Sequence, residues 1–239
     1  MPVLLLITFG FAFMGLQAHA VTHSLQDAFG FKVNYSGLAI AILYIHGFNS
    51  APESKKASQL ITVMQRMGLG EQLRVPALHH HPRQAIAQLQ AAIRELGSPL
   101  LVGSSLGGYY ATWLARQHGL KALLVNPAVS PHRMFDGYLG TQTNHYSGET
   151  WELTHDHVQA LAELEVPAPQ DAQRCQVWLQ TGDETLDYRY AEQYYAACTL
   201  RIEAGGDHSY QGFAQQLPDL LNFAGISTEQ FKTIDFAAL

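Results

Sequence analysis

Leu100-Leu101-Val102-Gly103-Ser104-Ser105-Leu106-Gly107-Gly108-Tyr109-Tyr110 decides how this chain folds. A short apolar run of the kind buried inside a sheet meets a Gly-x-Ser-x-Gly pattern. It then passes into Tyr109 to His118, where Tyr110, Ala111 and Leu114 share one helical side. A strand that turns this sharply into a helix holds the turn residue in a strained backbone conformation. Gly103 and Gly107, lacking Cβ, let neighbouring backbone pass close by. Ser105 is thereby the candidate nucleophile, its hydroxyl pushed beyond the end of the sheet, and the Leu106 amide at the helix N-terminus can point at a developing oxyanion. The same pattern also suits a Gly-rich turn with a capping serine, a role for which Ser104 is the natural candidate.

Upstream, Ile40-Ala41-Ile42-Leu43-Tyr44-Ile45 is a continuous β-favouring run suited to a strand covered on both faces. It ends in His46-Gly47-Phe48-Asn49-Ser50, a Gly-containing loop placed to supply a second oxyanion-hole amide, with Phe48 as the expected donor. His46 reads as a histidine that braces this loop through hydrogen bonds. Ser54 to Met67 has the spacing of an amphipathic helix stopped by Gly68, a short strand is expected at Leu73 to Val75, and Gln84 to Leu96 is a second helix closed by Gly97. The run His79-His80-His81-Pro82 reads as a loop, not a metal site. Three consecutive side chains bounded by proline cannot all face one ion, and no carboxylate or cysteine is near in sequence.

Downstream, Lys121 to Val125 is a further buried strand, so strands and helices alternate, which implies right-handed crossovers and a parallel sheet. Ser130 to Glu165 breaks the rhythm and is too long for an ordinary connection. It carries Tyr138, Tyr146, Trp151, His155 and His157 and is expected to be an inserted lid over the C-terminal edge of the sheet. Gln176 to Thr181 resumes the pattern, and Asp183, just past it, is the first choice for an acid. Glu184 and Asp187 are rivals whose other role is to favour the N-terminus of a helix over Tyr188 to Ala197. Cys198 to Ile202 is the last strand. His208 follows it in Gly205-Gly206-Asp207-His208, before a helix at Phe213 to Phe223, where an imidazole can reach back as the base. Nucleophile, acid and histidine thus run in α/β-hydrolase order, each after its own strand.

The 239 residues are 47% apolar, enough for a sizeable core in one domain. A formal charge of −6 argues against nucleic acid or an anionic membrane as the main partner. Cys175 and Cys198 match no metal or redox spacing and read as small core residues of a reducing compartment. Met1 to Leu16 is almost wholly apolar and Ala18-His19-Ala20 resembles a cleavage site. However, no Lys or Arg precedes Lys32, and the apolar stretch is short and interrupted by glycine for a membrane span. The expected organisation is an N-terminal extension over 1–38, a domain over 39–225 with its lid at about 130–165, and a tail over 226–239. The expected location is cytoplasmic, or exported if residues 1–20 act as a signal.

From Ile42 to about Phe223 the chain resembles the YqiA-type (UPF0227-like) esterases of the α/β-hydrolase superfamily. The segments that carry the resemblance are Leu43-Tyr44-Ile45-His46-Gly47-Phe48-Asn49-Ser50, Val102 to Leu114 around Ser105, Val125-Asn126-Pro127-Ala128-Val129, Gln180-Thr181-Gly182-Asp183-Glu184 with Leu186-Asp187-Tyr188, and Gly205-Gly206-Asp207-His208. The resemblance implies a minimal α/β-hydrolase fold, a mostly parallel sheet of about six strands flanked by helices with a small lid. It implies hydrolysis of a small-molecule acyl ester without a cofactor, with Ser105 as nucleophile, Asp183 as acid and His208 as base. An acyl thioesterase, a serine peptidase or a non-catalytic binding protein on the same fold are the alternatives. The chain departs from the family at its N-terminus, since such esterases usually begin almost at the first strand.

Overall fold

Ile42–Ile45 (β1) buries all four side chains, as a strand between two layers of helices must. It belongs to a computed structural model that describes residues 41–239, so the expected extension over 1–38 lies outside the described residues. Helix α1 (Lys55–Arg66) buries Ala57, Leu60, Val63 and Met64, and leads through a 3₁₀ turn at Gly70–Gln72 to β2 (Leu73–Arg74). Helix α2 (Pro82–Leu96) starts two residues earlier than the apolar spacing indicates, because His81 caps it and Pro82 occupies the first turn. Then follow β3 (Leu100–Ser104), α3 (Leu106–His118) and β4 (Ala122–Val125). Beyond the lid come β7 (Cys175–Gln180), α6 (Tyr188–Tyr194), β8 (Thr199–Glu203) and α7 (Phe213–Ala224).

The six strands form one wholly parallel sheet in the order β2-β1-β3-β4-β7-β8. The chain leaves β1 toward one edge, makes β2, and returns across to β3. The order therefore reverses between β1 and β3, the kind of crevice in which open parallel sheets place their sites. Because every strand points the same way, the loops after β1, β3, β4, β7 and β8 share one rim.

The segment expected as a lid contains α4 (His132–Phe135), a two-stranded antiparallel hairpin of β5 (Gly140–Thr143) and β6 (Thr150–Leu153), and α5 (His155–Ala162). Trp151 and Leu153 face inward and alternate with exposed Thr150 and Glu152, which is how four residues make a half-buried strand. Residues 226–239, read as a tail, fold back on the domain. Ile226 and Phe231 are buried, and the Gln59 amide donates to the Leu239 carbonyl at 3.2 Å. Cys175, which starts β7, and Cys198, which directly precedes β8, are remote in sequence but lie side by side in the chain's approach to adjacent strands, since Gln176 pairs with Thr199. Both are buried free thiols. Among the described residues no helix is long and apolar enough to cross a membrane.

Candidate active site

Ser105 lies between β3 and α3 with φ 56° and ψ −123°, a left-handed conformation that costs a non-glycine residue on the order of 1–2 kcal/mol. The surroundings hold it there. Its N–H donates to the Val125 carbonyl at 3.1 Å, and its carbonyl accepts from the amides of Gly108 (2.9 Å) and Ala128 (3.0 Å). A Cβ at Gly103 would lie 2.4 Å from the Gly107 oxygen, and one at Gly107 would lie 2.0 Å from the Ile45 oxygen. The turn therefore exists only because both positions lack a side chain. Ser104, the candidate for the alternative capping role, instead ends β3 and is buried. Ser105 itself stands at the N-cap with no side-chain cap bond, which leaves its hydroxyl free for another partner.

That partner is His208. Its Nε2 lies 3.0 Å from Ser105 Oγ, and its Nδ1 lies 2.8 and 3.0 Å from the two oxygens of Asp183. The Asp183 side chain is 2% exposed, and its Oδ1 also accepts from the amides of Thr185 and Leu186 at 2.9 and 2.8 Å. The carboxylate faces Nδ1 and leaves Nε2 to the serine. The structure separates the rivals of Asp183. Asp187 caps α6 and pairs with Arg189, whose hydrogen bonds hold its carboxyl below the usual range. Glu184 accepts the backbone N–H of His208 at 3.0 Å.

Two buried amides fix the loops and have no motif of their own. Asn126, at φ 41° after β4, donates from Nδ2 to the carbonyls of Asp207 (3.0 Å) and His208 (3.3 Å) and accepts the Gln180 N–H at 3.0 Å. Gln180, at the end of β7, accepts the amides of Asp207 and Gln211 through Oε1 at 3.2 and 2.8 Å. Gly206 has φ 73° and a Cβ there would meet Gln180 Oε1 at 2.0 Å, so the histidine loop can wrap this amide only with glycine at 206.

On the other side of Ser105, Gly47 carries the loop after β1 so close that an added Cβ would lie 3.0 Å from the serine Cβ. His46 is buried. Its Nδ1 donates to the Gly47 carbonyl at 3.0 Å and its Nε2 accepts the Leu78 amide at 3.2 Å. The Leu78 bond requires an unprotonated Nε2 and so the neutral ring, and burial lowers the pKa in the same direction. Leu106 is the first residue of α3, so its N–H has no partner within the helix. Phe48 packs against Phe135 and Trp151 of the lid, with ring centroids 4.8 and 5.6 Å away. Trp151 Nε1 donates to Asn49 Oδ1 at 3.0 Å, and Asn144 Nδ2 to the Ser50 carbonyl at 3.1 Å, so the hairpin is fastened to the loop that carries Phe48. Between them is an open cleft walled by Phe48, Leu78, His80, Leu106, Tyr110 and Trp151.

The histidine run is part of this wall. His80 stacks on Trp151 at 4.5 Å and its Nδ1 lies 3.1 Å from His157 Nε2. His81 caps α2 and pairs with Asp156 at 2.8 Å.

Residues 41–225 match the model of the uncharacterised protein family UPF0227. A UPF0227 protein of Shewanella woodyi is 26% identical over 194 residues, which cover 76% of this chain and 98% of that one. Among solved structures, mouse alpha/beta hydrolase domain-containing protein 10 is similar with a TM-score of 0.60 at 14% identity, covering 76% of this chain and 88% of its own. Est1E from Butyrivibrio proteoclasticus, solved with ferulic acid bound, reaches a TM-score of 0.56 at 14% identity, covering 81% and 90%. The fold is that of the α/β hydrolases.

Proposed function

The chain belongs to the UPF0227 family, and from that premise we propose that it is a serine hydrolase that cleaves small carboxylic esters through an acyl-enzyme. The observation that carries this reading is one imidazole, His208, bridging the Ser105 hydroxyl at 3.0 Å and the buried Asp183 carboxylate at 2.8 Å. Ser105 Oγ attacks the ester carbonyl as its proton passes to His208 Nε2. The Asp183 carboxylate stabilises the imidazolium, and the amides of Leu106 and Phe48 receive the oxyanion. Collapse of the tetrahedral intermediate expels the alcohol, which takes the proton from Nε2. Water, deprotonated by His208, then attacks the acyl-enzyme, and the acid leaves with Ser105 restored. The aromatic wall of the cleft suits a compact acyl group.

Labelling by a fluorophosphonate, together with hydrolysis of p-nitrophenyl esters of increasing chain length, tests the reading. Ser105→Ala is expected to abolish labelling and lower kcat by roughly 10⁴-fold or more, with an unchanged melting temperature. Labelling that persists in this variant would overturn the assignment. An acyl thioester or a peptide turned over faster than every ester would move the substrate class.

A further inference from the structure

The first turn of a helix is a poor place for a cation, because the helix dipole already puts positive charge there. Yet α1 begins with Lys55 and Lys56. Lys55 is exposed, whereas Lys56 is half-buried and its Nζ donates to the Ser209 carbonyl at 2.8 Å. Ser209 directly follows His208, so this bond ties the helix after β1 to the loop after β8, 153 positions apart.

The charges that face the ammonium are Asp183 and Asp207, from the loops after β7 and β8, and its own neighbour Lys55. Helix α7, also packed on α1, carries Asp219, which is engaged by Arg201, and the turn before β2 carries Glu71. Asp207 is half-satisfied: its Oδ2 accepts from Gln211 at 2.9 Å, while its Oδ1 is buried with no hydrogen-bond partner among the described residues. Asp183 and Asp207 thus share the surroundings of one ammonium, and only Asp183 touches the imidazole. A buried carboxylate oxygen without a donor is costly unless positive charge lies near it, and Lys56 supplies that charge. Burial brings Lys56 down to about 8, with the two carboxylates acting against that fall, so the ammonium persists at neutral pH.

We propose that Lys56 is a positioning residue for the His208 loop: it anchors the Ser209 carbonyl and supplies the positive charge that offsets Asp183 and Asp207. The proposal rests on the hydrolase reading above, and its test includes a readout that needs no turnover. In Lys56→Met the pH midpoint of the His208 Hε1 resonance, assigned with His208→Gln, is expected to rise by about half a unit, and kcat at pH 7 to fall roughly tenfold at unchanged KM. Lys56→Arg restores both. Should Lys56→Met not fold, Lys56→Gln, which keeps a donor and drops the charge, is expected to show the same rise in midpoint. A midpoint and kcat equal to wild type in the neutral variant, or equal impairment in Lys56→Arg, would overturn the proposal. Wild-type protein inert toward every ester, with the resonance still shifting on Lys56→Met, would instead sink the hydrolase reading and leave the electrostatic coupling standing.

Discussion

The rim above the sheet is held differently on its two sides. Beyond β4, β7 and β8 the loops hang on buried carboxamides: Asn126 joins Gln180 to the carbonyls of 207 and 208, and Gln180 holds the amides of 207 and 211. Beyond β1 and β3 the roof is a set of rings, His80 on Trp151, Trp151 against Phe48, and His80 bonded to His157. Carboxamides do not titrate and their bonds have narrow geometry, so the first side is a fixed jig for the three residues of the proposed triad. Stacked rings tolerate sliding and two of them titrate, so the second side can change its contacts while the chemistry beneath keeps its geometry.

The largest effect should come from the element that both sides share. A Cβ in Gly107→Ala would sit 2.0 Å from the Ile45 carbonyl oxygen and 2.6 Å from that of His46, both backbone atoms of the central strand and its loop. Neither can retreat without disrupting β1. The variant should lose more than about 4 kcal/mol in urea unfolding, or fail to accumulate folded. A near-wild-type midpoint would mean that the turn relaxes freely and that the close approach does not define the site.

Asn126→Ala attacks the jig alone. It strips partners from the Gln180 N–H and the Asp207 and His208 carbonyls, at roughly 1–3 kcal/mol for each buried group left unsatisfied, and it puts alanine at φ 41°. A loss of about 2–4 kcal/mol is expected, with ester turnover falling further than stability explains because the histidine loop drifts. Asn126→Gly removes the same bonds without the backbone strain and should recover about 1 kcal/mol of that loss. Equal stability of the two would place the damage wholly in the hydrogen bonds, and full activity in either would break the contrast between the two sides.

The convergence of Ser105, Asp183 and His208 was legible in the sequence and the jig's supports were not, for a physical reason. Ser105, Asp183 and His208 each follow an apolar run that ends in a Gly-rich turn, a local signal, and a parallel sheet brings every such turn to one rim. Asn126, Gln180 and Lys56 act through partners 27 to 153 positions away. A buried amide in a strand-ending loop carries no local mark of that duty. The hairpin escaped because its strands are four residues each, half-exposed, and built of Gly, Thr, Gln and Glu with only Trp151 and Leu153 facing in. Helix α6 stops at Tyr194 and not at Ala197 because Tyr195 turns into the core, where its hydroxyl meets that of Thr112 at 2.8 Å. Tertiary burial overrides local periodicity there.

The smallest expected effect lies on the ring side and is a matter of pH. His157 Nδ1 accepts from the N–H of Thr154 at 3.2 Å and from its hydroxyl at 2.9 Å, completing a capping box for α5. Its Nε2 therefore bears the proton and donates to His80 Nδ1 at 3.1 Å. Protonation of either ring puts a proton where an acceptor is needed. Burial, reinforced by the neighbouring histidines 81 and 80, pushes His157 down to about 4, and burial also lowers His80. Between about pH 6.5 and 4 the unfolded chain thus binds protons that the folded chain refuses. The pair's contribution is complete above 6.5 and drains away as the pH falls toward 4. His157→Gln keeps a side-chain acceptor for the Thr154 amide but does not titrate. The acid-induced drop in melting temperature from pH 7 to 4.5 should therefore shrink by roughly 2–4 °C, on the order of 1 kcal/mol, while Asn126→Ala should keep the wild-type slope. Identical slopes in wild type and His157→Gln would show that the roof is as indifferent to protons as the jig beneath it.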